Sequence, residues 1–383
     1  MHKKKVLFMI NSMYGGGAEK VLQTIINNID QEKYEITVYS LHREKIDKKI
    51  YKKSFNYKVV FDLYQGKNRI KKIFSNIFLK IKGKVFSHCS SNLFYTLFIH
   101  EKFDVEIAFI EGESTKIISG SNNKLSKKIA WVHVDLIENP WSDFIYKNVD
   151  DESRHYSKFD KIVCVSNATK KAFIDKYRID DEKVVVHYNP IDTEDIIKKA
   201  GEKNNTSVCE IPQIMAVGRL VNQKGFDRLL KAINRLKEEQ EIFKLHIIGE
   251  GSQKEELNNY ILKNNLQEYV KLHGYIENPY KLMKNGDILI CSSRAEGFSL
   301  VIAEAIILGL AIVTTNCSGP VELIEDGKYG LLIENSQNGI YEGLKKLLNN
   351  KELIKEYKRK SNIRKNIFKI ENNIKELEKL IDE

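Results

Sequence analysis

Residues 291–304 have the sequence CSSRAEGFSLVIAE, and this stretch decides the predicted fold. The apolar run that ends at Cys291 is typical of a buried strand, and a helical pattern begins near Ser299. A strand, a turn and a helix in this order leave unpaired N–H groups at the helix start, where they and the helix dipole favour a phosphate. Glu296 lies in the turn and Glu304 about one turn inside the helix, so two carboxylates flank the predicted anion site. The alternative at this point is a surface loop followed by an ordinary amphipathic helix.

A second strand, turn and helix precede this stretch. The predicted strand 213–217 is followed by GRLVNQKG, residues 218–225, and by a helical pattern over 226–237. Arg219 and Lys224 flank the turn, so two cations and a helix start converge on one point, which suits a diphosphate. The alternative for this motif taken alone is a pair of solvated surface charges.

The spacings Glu296-x7-Glu304 and Arg219-x4-Lys224 resemble those of the retaining glycosyltransferases of family four, which have the GT-B fold. The resemblance covers nearly the whole chain and is most specific over 217–334. It implies that Glu296 meets hydroxyls of a donor hexose and that Glu304 meets the ribose. It also implies that Arg219 and Lys224 bind the donor phosphates and that turns at neighbouring strand ends hold the base. In full, the predicted donor-binding residues are Gly16, Gly17, Arg219, Lys224, Gly249, Tyr275, Gly297, Phe298, Ser299, Leu300 and Glu304.

The N-terminal half of the chain predicts a further α/β domain. An apolar strand over 6–10 is followed by NSMYGGGAE, residues 11–19, and by a helical pattern. Three consecutive glycines let the backbone approach a ligand closely before a helix start, although a tight turn explains them as well. The resemblance implies that the loop with Gly16 and Gly17 faces the donor diphosphate and the acceptor.

Two polar residues end predicted strands of this half. His133 falls where the strand 128–133 leaves the sheet, on the side where open α/β sheets bind ligands. A purely structural histidine is the alternative. The resemblance implies that His133 lies near the donor sugar and the acceptor, so His133 and Glu296 are the predicted catalytic residues. Glu111, which ends the preceding strand, is the acceptor-side candidate.

The length of the chain predicts two domains, because 383 residues are more than one hydrophobic core usually serves. We expect an α/β protein with two Rossmann-like, doubly wound domains that face a cleft, with the donor held mainly by the second. The predicted bounds are 1–193 for the acceptor-side domain, 194–207 for a polar linker, 208–364 for the donor-binding domain and 365–383 for a C-terminal helix that crosses back to the first domain.

Composition narrows the choice of partners. The net charge of +10 and the isoelectric point of about 9.0 favour anionic partners. No nucleic-acid module or basic-aromatic platform appears, so nucleic acid is not expected. The five cysteines include no C-x-x-C pair and are expected to be buried thiols of a reducing compartment. The apolar run over 6–10 is too short for a signal peptide, and no stretch of about 18 apolar residues exists, so we expect a cytoplasmic protein.

The resemblance implies an enzyme that moves a hexose or N-acetylhexosamine from a UDP-sugar to a hydroxyl of a surface glycan, with retention of the anomeric configuration. Capsule, lipopolysaccharide and lipid-linked oligosaccharide are the acceptor classes. The chain has no Asp-x-Asp motif, so we expect no metal and no cofactor, with Arg219, Lys224 and helix amides neutralising the leaving group. The alternative is a catalytically silent GT-B protein that stabilises a partner glycosyltransferase.

A basic amphipathic segment lies in the first half. In RIKKIFSNIFLKIK, residues 69–82, apolar residues follow the helical period and lysines lie among or beside the polar positions. One interpretation is a helix packed on the first domain. The other is an interfacial helix over residues 69–84 that binds the anionic inner face of the membrane and brings the protein to a lipid-linked acceptor.

Overall fold

The computed structural model describes residues 2–13, 15–42, 50–61, 88–201 and 211–383. The chain divides into two compact units, Met1–Pro190 with Glu371–Glu383 and Ile191–Ile370. The segment 69–84, with its predicted amphipathic helix, lies outside the described residues. No helix among the described residues is long and apolar enough to cross a lipid bilayer.

Within the described part of the first unit, seven parallel strands form one sheet. The strands are β1 Lys4–Ile10, β2 Tyr34–His42, β3 Asn56–Phe61, β4 Val105–Ala108, β5 Lys127–Val132, β6 Lys161–Cys164 and β7 Val184–Val186. Their order is β3-β2-β1-β4-β5-β6-β7. The helices are α1 Gly17–Asn28, α2 Ser91–Phe98, α3 Glu113–Ile118, α4 Val149–Tyr156 and α5 Asn167–Tyr177, with 3-10 helices at Asp143–Ile145 and Asp181–Lys183. The apolar residues of β1 are fully buried, as is typical of a central strand covered on both faces.

The sheet of the second unit has six parallel strands in the described ranges. They are β8 Gln213–Val217, β9 Lys244–Ile248, β10 Val270–Leu272, β11 Ile288–Cys291, β12 Ala311–Thr315 and β13 Leu331–Ile333, in the order β10-β9-β8-β11-β12-β13. The helices are α6 Thr193–Gly201, α7 Phe226–Glu238, α8 Lys254–Lys263, α9 Tyr280–Met283, α10 Leu300–Ile307, α11 Ser318–Leu323, α12 Gln337–Leu348 and α13 Lys351–Arg364, with 3-10 helices at Asn222–Lys224 and Lys365–Ile367. These two parallel sheets confirm the predicted class of two Rossmann-like units.

The last helix, α14 Ile370–Asp382, belongs to the first unit. Lys4 Nζ lies 2.8 Å from the Asp382 carboxylate, and Lys127 Nζ donates to the carbonyl oxygen of Leu380 at 2.5 Å. These contacts confirm the predicted return of the chain to the first unit. The helix begins at Ile370 and not at 365, because the 3-10 turn Lys365–Ile367 separates it from α13.

The segment predicted as a linker, 194–207, begins with a helix, and this corrects the prediction. The helix α6 buries Ile196 and Ala200, which lie four positions apart on one face. Acidic residues in its first turn and lysines in its last turn complement the helix dipole. The polar composition of the segment concealed this pattern because the apolar face is narrow. Residues 202–207 lie outside the described residues.

Both sheets change winding direction beside their first strand. In the first unit the chain passes from β1 to β2 and β3 and then returns to β4 on the other side of β1. In the second unit β8, β9, β10 and β11 repeat this path. Ligands of open α/β sheets bind at the carboxyl ends of the strands beside such a reversal. The loops that follow β1, β4, β8 and β11 are therefore the places to look for a site.

Three of the cysteines, Cys164, Cys291 and Cys317, are buried free thiols. Cys89 is only half-buried, which corrects the expectation for this residue. The difference has a local reason, since Cys89 lies in the turn ahead of α2 and the other three lie in or next to buried strands. Cys209 is outside the described residues.

Candidate functional site

Two loops meet at the carboxyl ends of β8 and β11 in the second unit. Lys224 in the first loop donates from Nζ to Oε1 of Glu296 in the second, at 2.5 Å. The Ser293 hydroxyl donates to the same oxygen at 2.6 Å. The Lys224 and Glu296 side chains are only 20% and 8% exposed, and with Ser299 they line one small cavity. The fold therefore joins two predicted site residues that lie 72 positions apart in the sequence.

Backbone contacts hold these two loops side by side. The Arg294 N–H donates to the Gln223 carbonyl at 2.7 Å, and the Gln223 side-chain amide donates to the Ala295 carbonyl at 2.9 Å. Gly225 has a φ of +67°, and a Cβ atom there would lie 2.2 Å from the carbonyl oxygen of Ser292. Only glycine fits this approach, so the glycine of the Lys-Gly pair is required by packing.

The charges at this point favour an anion. Burial disfavours the Lys224 ammonium, but the Glu296 carboxylate outweighs burial, and the pKa of Lys224 is raised above its usual value. Arg219 is exposed, and its positive charge opposes this rise in the pKa. An ammonium has three N–H donors and a guanidinium has five. Lys224 and Arg219 can therefore bind phosphate oxygens while Lys224 keeps its contact with Glu296.

Sequence reasoning missed the side chains that brace the second loop. Arg228 is 8% exposed and donates to the carbonyl oxygens of Ser292 and Ser293. Arg294 forms a bidentate pair with Asp227, with both N···O distances at 2.8 Å. One signal was available for Arg228, because it lies among the apolar residues of α7 and a charge in such a place needs local partners.

Turns at neighbouring strand ends bring three glycines together. The Gly218 N–H donates to the Ile248 carbonyl at 3.0 Å, and the Gly249 N–H donates to the Gly274 carbonyl at 2.9 Å. Gly249 has a φ of +148°, and a Cβ atom there would lie 1.9 Å from the Gly218 oxygen. Tyr275, which follows Gly274, is 61% exposed. The predicted base-side residues Gly249 and Tyr275 thus lie at the same sheet edge as Gly218.

The helix α10 begins at Leu300, and Ser299 is its N-cap residue. The amides of its first turn have no acceptor within the helix and lie at the positive end of the helix dipole. Gly297 and Phe298 form the turn before it. A Cβ atom on Gly319 would lie 2.1 Å from the Gly297 carbonyl oxygen, so α11 packs directly on this turn. The predicted strand, turn and helix are all present.

Glu304 lies one turn inside α10 and is buried. The Tyr280 hydroxyl of α9 hydrogen-bonds to it, and burial together with the Glu304 charge raises the pKa of Tyr280. Asp192 and Asp195 contribute to the same rise. Glu304 therefore already accepts one hydroxyl hydrogen bond, which is the interaction expected of a carboxylate that binds a ribose.

At the edge of the first sheet, the backbone of His133 is held by Glu111. The Glu111 carboxylate accepts the N–H groups of His133 and Val134, the second at 3.0 Å. His133 Nε2 lies 2.9 Å from the Phe109 carbonyl oxygen, so Nε2 carries the proton and Nδ1 keeps its lone pair. Burial lowers the pKa of His133 to about 4, against the effect of the Phe109 bond. The imidazole is therefore neutral at pH 7.

Glu111 itself is 1% exposed, and burial raises its pKa to about 7 although backbone N–H groups act in the opposite direction. Among the described residues, no hydrogen-bond partner reaches its second oxygen, Oε2, which is buried. The acceptor-side role of Glu111 stays a prediction. Its placement supports an indirect role, since it fixes the backbone of His133.

The glycine loop after β1 lies at the same edge of the first sheet. The helix α1 begins at Gly17 with Gly16 as its N-cap residue, and a Cβ atom on Gly16 would lie 2.0 Å from the Glu19 carboxylate. Asn11, between β1 and this loop, donates to Glu113 at 3.0 Å. Gly16 and Gly17 thus lie at a helix start, and their contact with a ligand stays a prediction.

Two family models match the chain. Glycosyl transferases group 1 matches residues 197–366, and Glycosyltransferase Family 4 matches residues 128–195. The first match contains Lys224 and Glu296, and the second contains His133. The two parallel α/β units have the GT-B fold, and both matching models describe glycosyltransferases. The chain belongs to glycosyltransferase family four.

A curated relative from Campylobacter jejuni is 37% identical over 215 residues, which is 56% of this chain and 57% of the relative. It is N-acetylgalactosamine-N,N'-diacetylbacillosaminyl-diphospho-undecaprenol 4-alpha-N-acetylgalactosaminyltransferase. The chain spans only 57–63% of the length of the first three curated relatives that it matches. These matches support the family and leave the substrates to be inferred.

Solved structures with the same fold cover nearly the whole chain. HepE of Anabaena in complex with UDP and glucose has a TM-score of 0.75 and 17% identity, with 99% of both chains covered. TarM of Staphylococcus aureus in complex with fondaparinux, alpha-GlcNAc-glycerol and UDP has a TM-score of 0.74 and 16% identity, with 99% of this chain and 100% of TarM covered. At these identities the similarity shows the fold alone.

Proposed function

We propose that the protein transfers a hexose or N-acetylhexosamine from a UDP-sugar to a hydroxyl of a surface or lipid-linked glycan. The observation that carries this proposal is the contact between Lys224 and Glu296 at the joined ends of β8 and β11. A nucleotide sugar has a diphosphate bonded directly to a ring that bears hydroxyls. A cation for the phosphate and a carboxylate for the hydroxyls, one hydrogen bond apart, match that pair of groups.

The second unit has the charges needed for the departing diphosphate. Transfer breaks the bond between the anomeric carbon and the β-phosphate oxygen, so negative charge develops on the diphosphate. Lys224, Arg219 and the first-turn amides of α10 are positioned before this charge appears, so they stabilise it without reorganisation. On this basis we propose a reaction that needs no metal ion.

We propose that the anomeric configuration is retained. The acceptor oxygen would form its bond to the anomeric carbon on the face from which the diphosphate leaves, and the acceptor proton would pass to a diphosphate oxygen. Two relatives support this choice. The Campylobacter jejuni relative is a 4-alpha-N-acetylgalactosaminyltransferase, and the TarM complex contains alpha-GlcNAc-glycerol with UDP. Retention at a UDP-alpha-sugar gives an alpha product.

In the first unit, we assign the binding of a hydroxyl to His133. Its ring is neutral, with Nε2 bonded to Phe109 and Nδ1 as the remaining acceptor, and the residue as a whole is half-buried. A hydroxyl can donate to Nδ1, whereas an anion cannot. The diphospho-undecaprenol in the name of the Campylobacter jejuni relative supports a lipid-linked acceptor.

A ligand screen followed by a turnover assay tests the proposal. UDP-, GDP- and ADP-sugars are compared for protection against thermal unfolding, because a ligand that binds only the folded state raises the melting temperature. Any donor that protects is then assayed for release of its nucleotide. We expect protection by a UDP-sugar and release of UDP. Protection by none of the donors overturns the assignment, and protection without release identifies a silent GT-B protein that stabilises a partner.

A further inference from the structure

We propose that Arg228, which has no role in the predicted site, is the positioning residue for Glu296. The inference rests on the proposed function, since it concerns how the sugar-binding carboxylate of that site is held. Arg228 lies in the first turn of α7, four residues after Lys224. Its side chain points under the loop that follows β11 and contacts the backbone of that loop directly.

The guanidinium of Arg228 holds two successive carbonyl groups. Nε donates to the Ser292 oxygen at 3.0 Å, and Nη2 approaches the same oxygen at 2.7 Å. Nη2 also lies 2.7 Å from the Ser293 oxygen. Buried carbonyl groups need such donors, and this loop leaves the sheet at this point, so the strand ladder does not provide them. Arg228 supplies the donors that fix the path of the loop.

Asn335, which follows β13, adds one more contact to the loop. We call Arg228 and Asn335 together the clamp. Its side-chain oxygen accepts from Arg228 Nη2 at 2.6 Å, and its side-chain N–H donates to the Arg294 carbonyl at 2.9 Å. The carbonyls of three successive residues, 292, 293 and 294, are therefore held by one arginine and one asparagine. The loop has little freedom to move as long as both side chains are present.

The clamped residue Ser293 is the link to Glu296. The Ser293 hydroxyl donates to Glu296 Oε1 at 2.6 Å, and the Ser293 carbonyl also accepts from the Thr315 hydroxyl at 2.6 Å. Because the backbone of Ser293 is held from two sides, its hydroxyl has a fixed position. That hydroxyl in turn orients the carboxylate that contacts Lys224. Arg228 acts on the site through this chain of hydrogen bonds.

The chemistry of the contacts makes arginine specific at this position. Among the described residues, every hydrogen-bond acceptor of the Arg228 guanidinium is a carbonyl or side-chain amide oxygen. Burial, followed by the nearby Arg294 charge, lowers the pKa of Arg228. The positive charge is therefore unfavourable at this position, and the favourable contribution of Arg228 is the geometry of its hydrogen bonds. A lysine has one nitrogen and cannot reach these spread acceptors in a planar fork.

The test compares Arg228→Lys and Arg228→Gln with Arg235→Gln, an exposed arginine on the same helix. We expect both Arg228 variants to lose turnover of the UDP-sugar by about tenfold or more while their affinity for UDP changes by less than about threefold. The control should match the wild type. A purely structural role would lower the melting temperature and leave turnover of the folded protein unchanged, and that result would overturn the inference.

A double-mutant cycle shows whether Arg228 acts through Glu296. If it does, Arg228→Lys with Glu296→Gln should be no slower than Glu296→Gln alone, because the group that Arg228 positions is already lost. Losses that multiply would overturn the inference. If the wild type neither binds UDP nor releases it from any donor, the proposed function fails first. A wild type that works beside equally active Arg228 variants refutes the positioning role alone.

A surface variant covers the case in which the Arg228 variants do not fold. Asn335 is exposed, so Asn335→Ala should leave the core intact while it removes one acceptor of Arg228 and the donor to Arg294. We expect the same pattern on a smaller scale, with turnover lower by about threefold and UDP affinity unchanged. Unchanged turnover in Asn335→Ala would contradict the clamp.

Discussion

The carboxyl edges of the two sheets share one topology and differ in charge. At the edge of the second sheet, Lys224 and Glu296 form a close ion pair, and a bidentate arginine–aspartate pair lies beside it. At the edge of the first sheet, His133 is neutral, and burial raises the pKa of Glu111 to about 7. The difference arises because opposite charges meet at the second edge, whereas burial dominates at the first.

This contrast separates two kinds of binding. Ionised groups that are held in place suit a diphosphate, whose charge grows when the sugar leaves. A neutral ring with one lone pair suits a hydroxyl, and it does not attract an anion. We infer that equivalent strand ends bind the donor in one unit and the acceptor in the other because the charges around them differ.

Removal of a cation from the charged edge should have the largest effect. We expect Lys224→Ala and Arg219→Ala each to lower donor turnover by at least about tenfold, since a charge-assisted hydrogen bond contributes ~1.5–3 kcal/mol. Lys224→Ala should be the more damaging, because it leaves the buried Glu296 carboxylate without its cation. UDP release is the measurement, with Arg235→Gln as the control. Near-normal release by both folded variants would remove the diphosphate from this edge.

Replacement of the Glu296 carboxylate distinguishes binding of the sugar from binding of the phosphates. Glu296→Gln keeps an oxygen for the Ser293 hydroxyl and loses the charge, so we expect turnover of the UDP-sugar to fall by about tenfold. Affinity for UDP should change by less than about threefold, because UDP has no hexose. Calorimetric titration with UDP and with the UDP-sugar measures both. An equal loss of affinity for the two ligands would contradict the hexose role.

Glu304→Gln, in the helix that follows the Glu296 turn, is the opposite case. Here we expect the affinity for UDP itself to weaken, by about threefold to tenfold, because the predicted partner of Glu304 is the ribose. Tyr280→Phe is the matched control, since it removes the hydroxyl that contacts Glu304 and keeps the carboxylate. A dissociation constant for UDP that is the same in Glu304→Gln and in the wild type would count against the ribose contact.

At the edge of the first sheet, we expect Glu111→Gln to change the stability of the folded protein more than the rate of sugar transfer. The pKa of Glu111 is raised from 4.5 to about 7 in the folded state. The protonated carboxyl therefore makes its full contribution to the free energy of unfolding below about pH 4.5, and this contribution is lost as the pH rises through 7. The glutamine keeps an acceptor for the two backbone N–H groups and carries no charge. We expect it to be the more stable protein at pH 8, by up to about 3 kcal/mol, with no difference near pH 4.5.

Denaturant unfolding of the two proteins across this pH range measures the effect. The wild type should lose stability relative to Glu111→Gln between pH 4.5 and 8. Parallel pH profiles would show that Glu111 is ionised throughout and that the first edge is charged like the second, which would break the comparison.

The strands and the donor-side loops could be predicted because their signals are local. A continuous apolar run such as Ile288–Cys291 forms a buried parallel strand, and the glycine and charged residues after it mark the turn. The family resemblance implied that Lys224 and Glu296 serve one donor site, but their direct contact was not predicted, since the two residues are 72 positions apart. The start of the returning helix and the helix at Thr193–Gly201 were missed because polar residues dominate both segments.

The clamp on the second loop could not be predicted, because its partners lie far apart in the sequence. Arg228 and Asn335 are 107 positions apart and meet only once β8, β11 and β13 lie in one sheet. The raised pKa of Glu111 could not be predicted from the sequence either. Its position at a strand end is visible in the sequence, whereas the depth of burial that raises its pKa depends on every element packed around it.

We propose that the edge of the second sheet with Lys224 and Glu296 holds the diphosphate of a UDP-sugar. A crystal structure of the protein with UDP tests it most directly. We expect phosphate oxygens at about 2.7–3.2 Å from Lys224 and Arg219 and from the first-turn amides of α10, with the ribose at Glu304. UDP bound at the edge of the first sheet, or bound without contact to either cation, would contradict it.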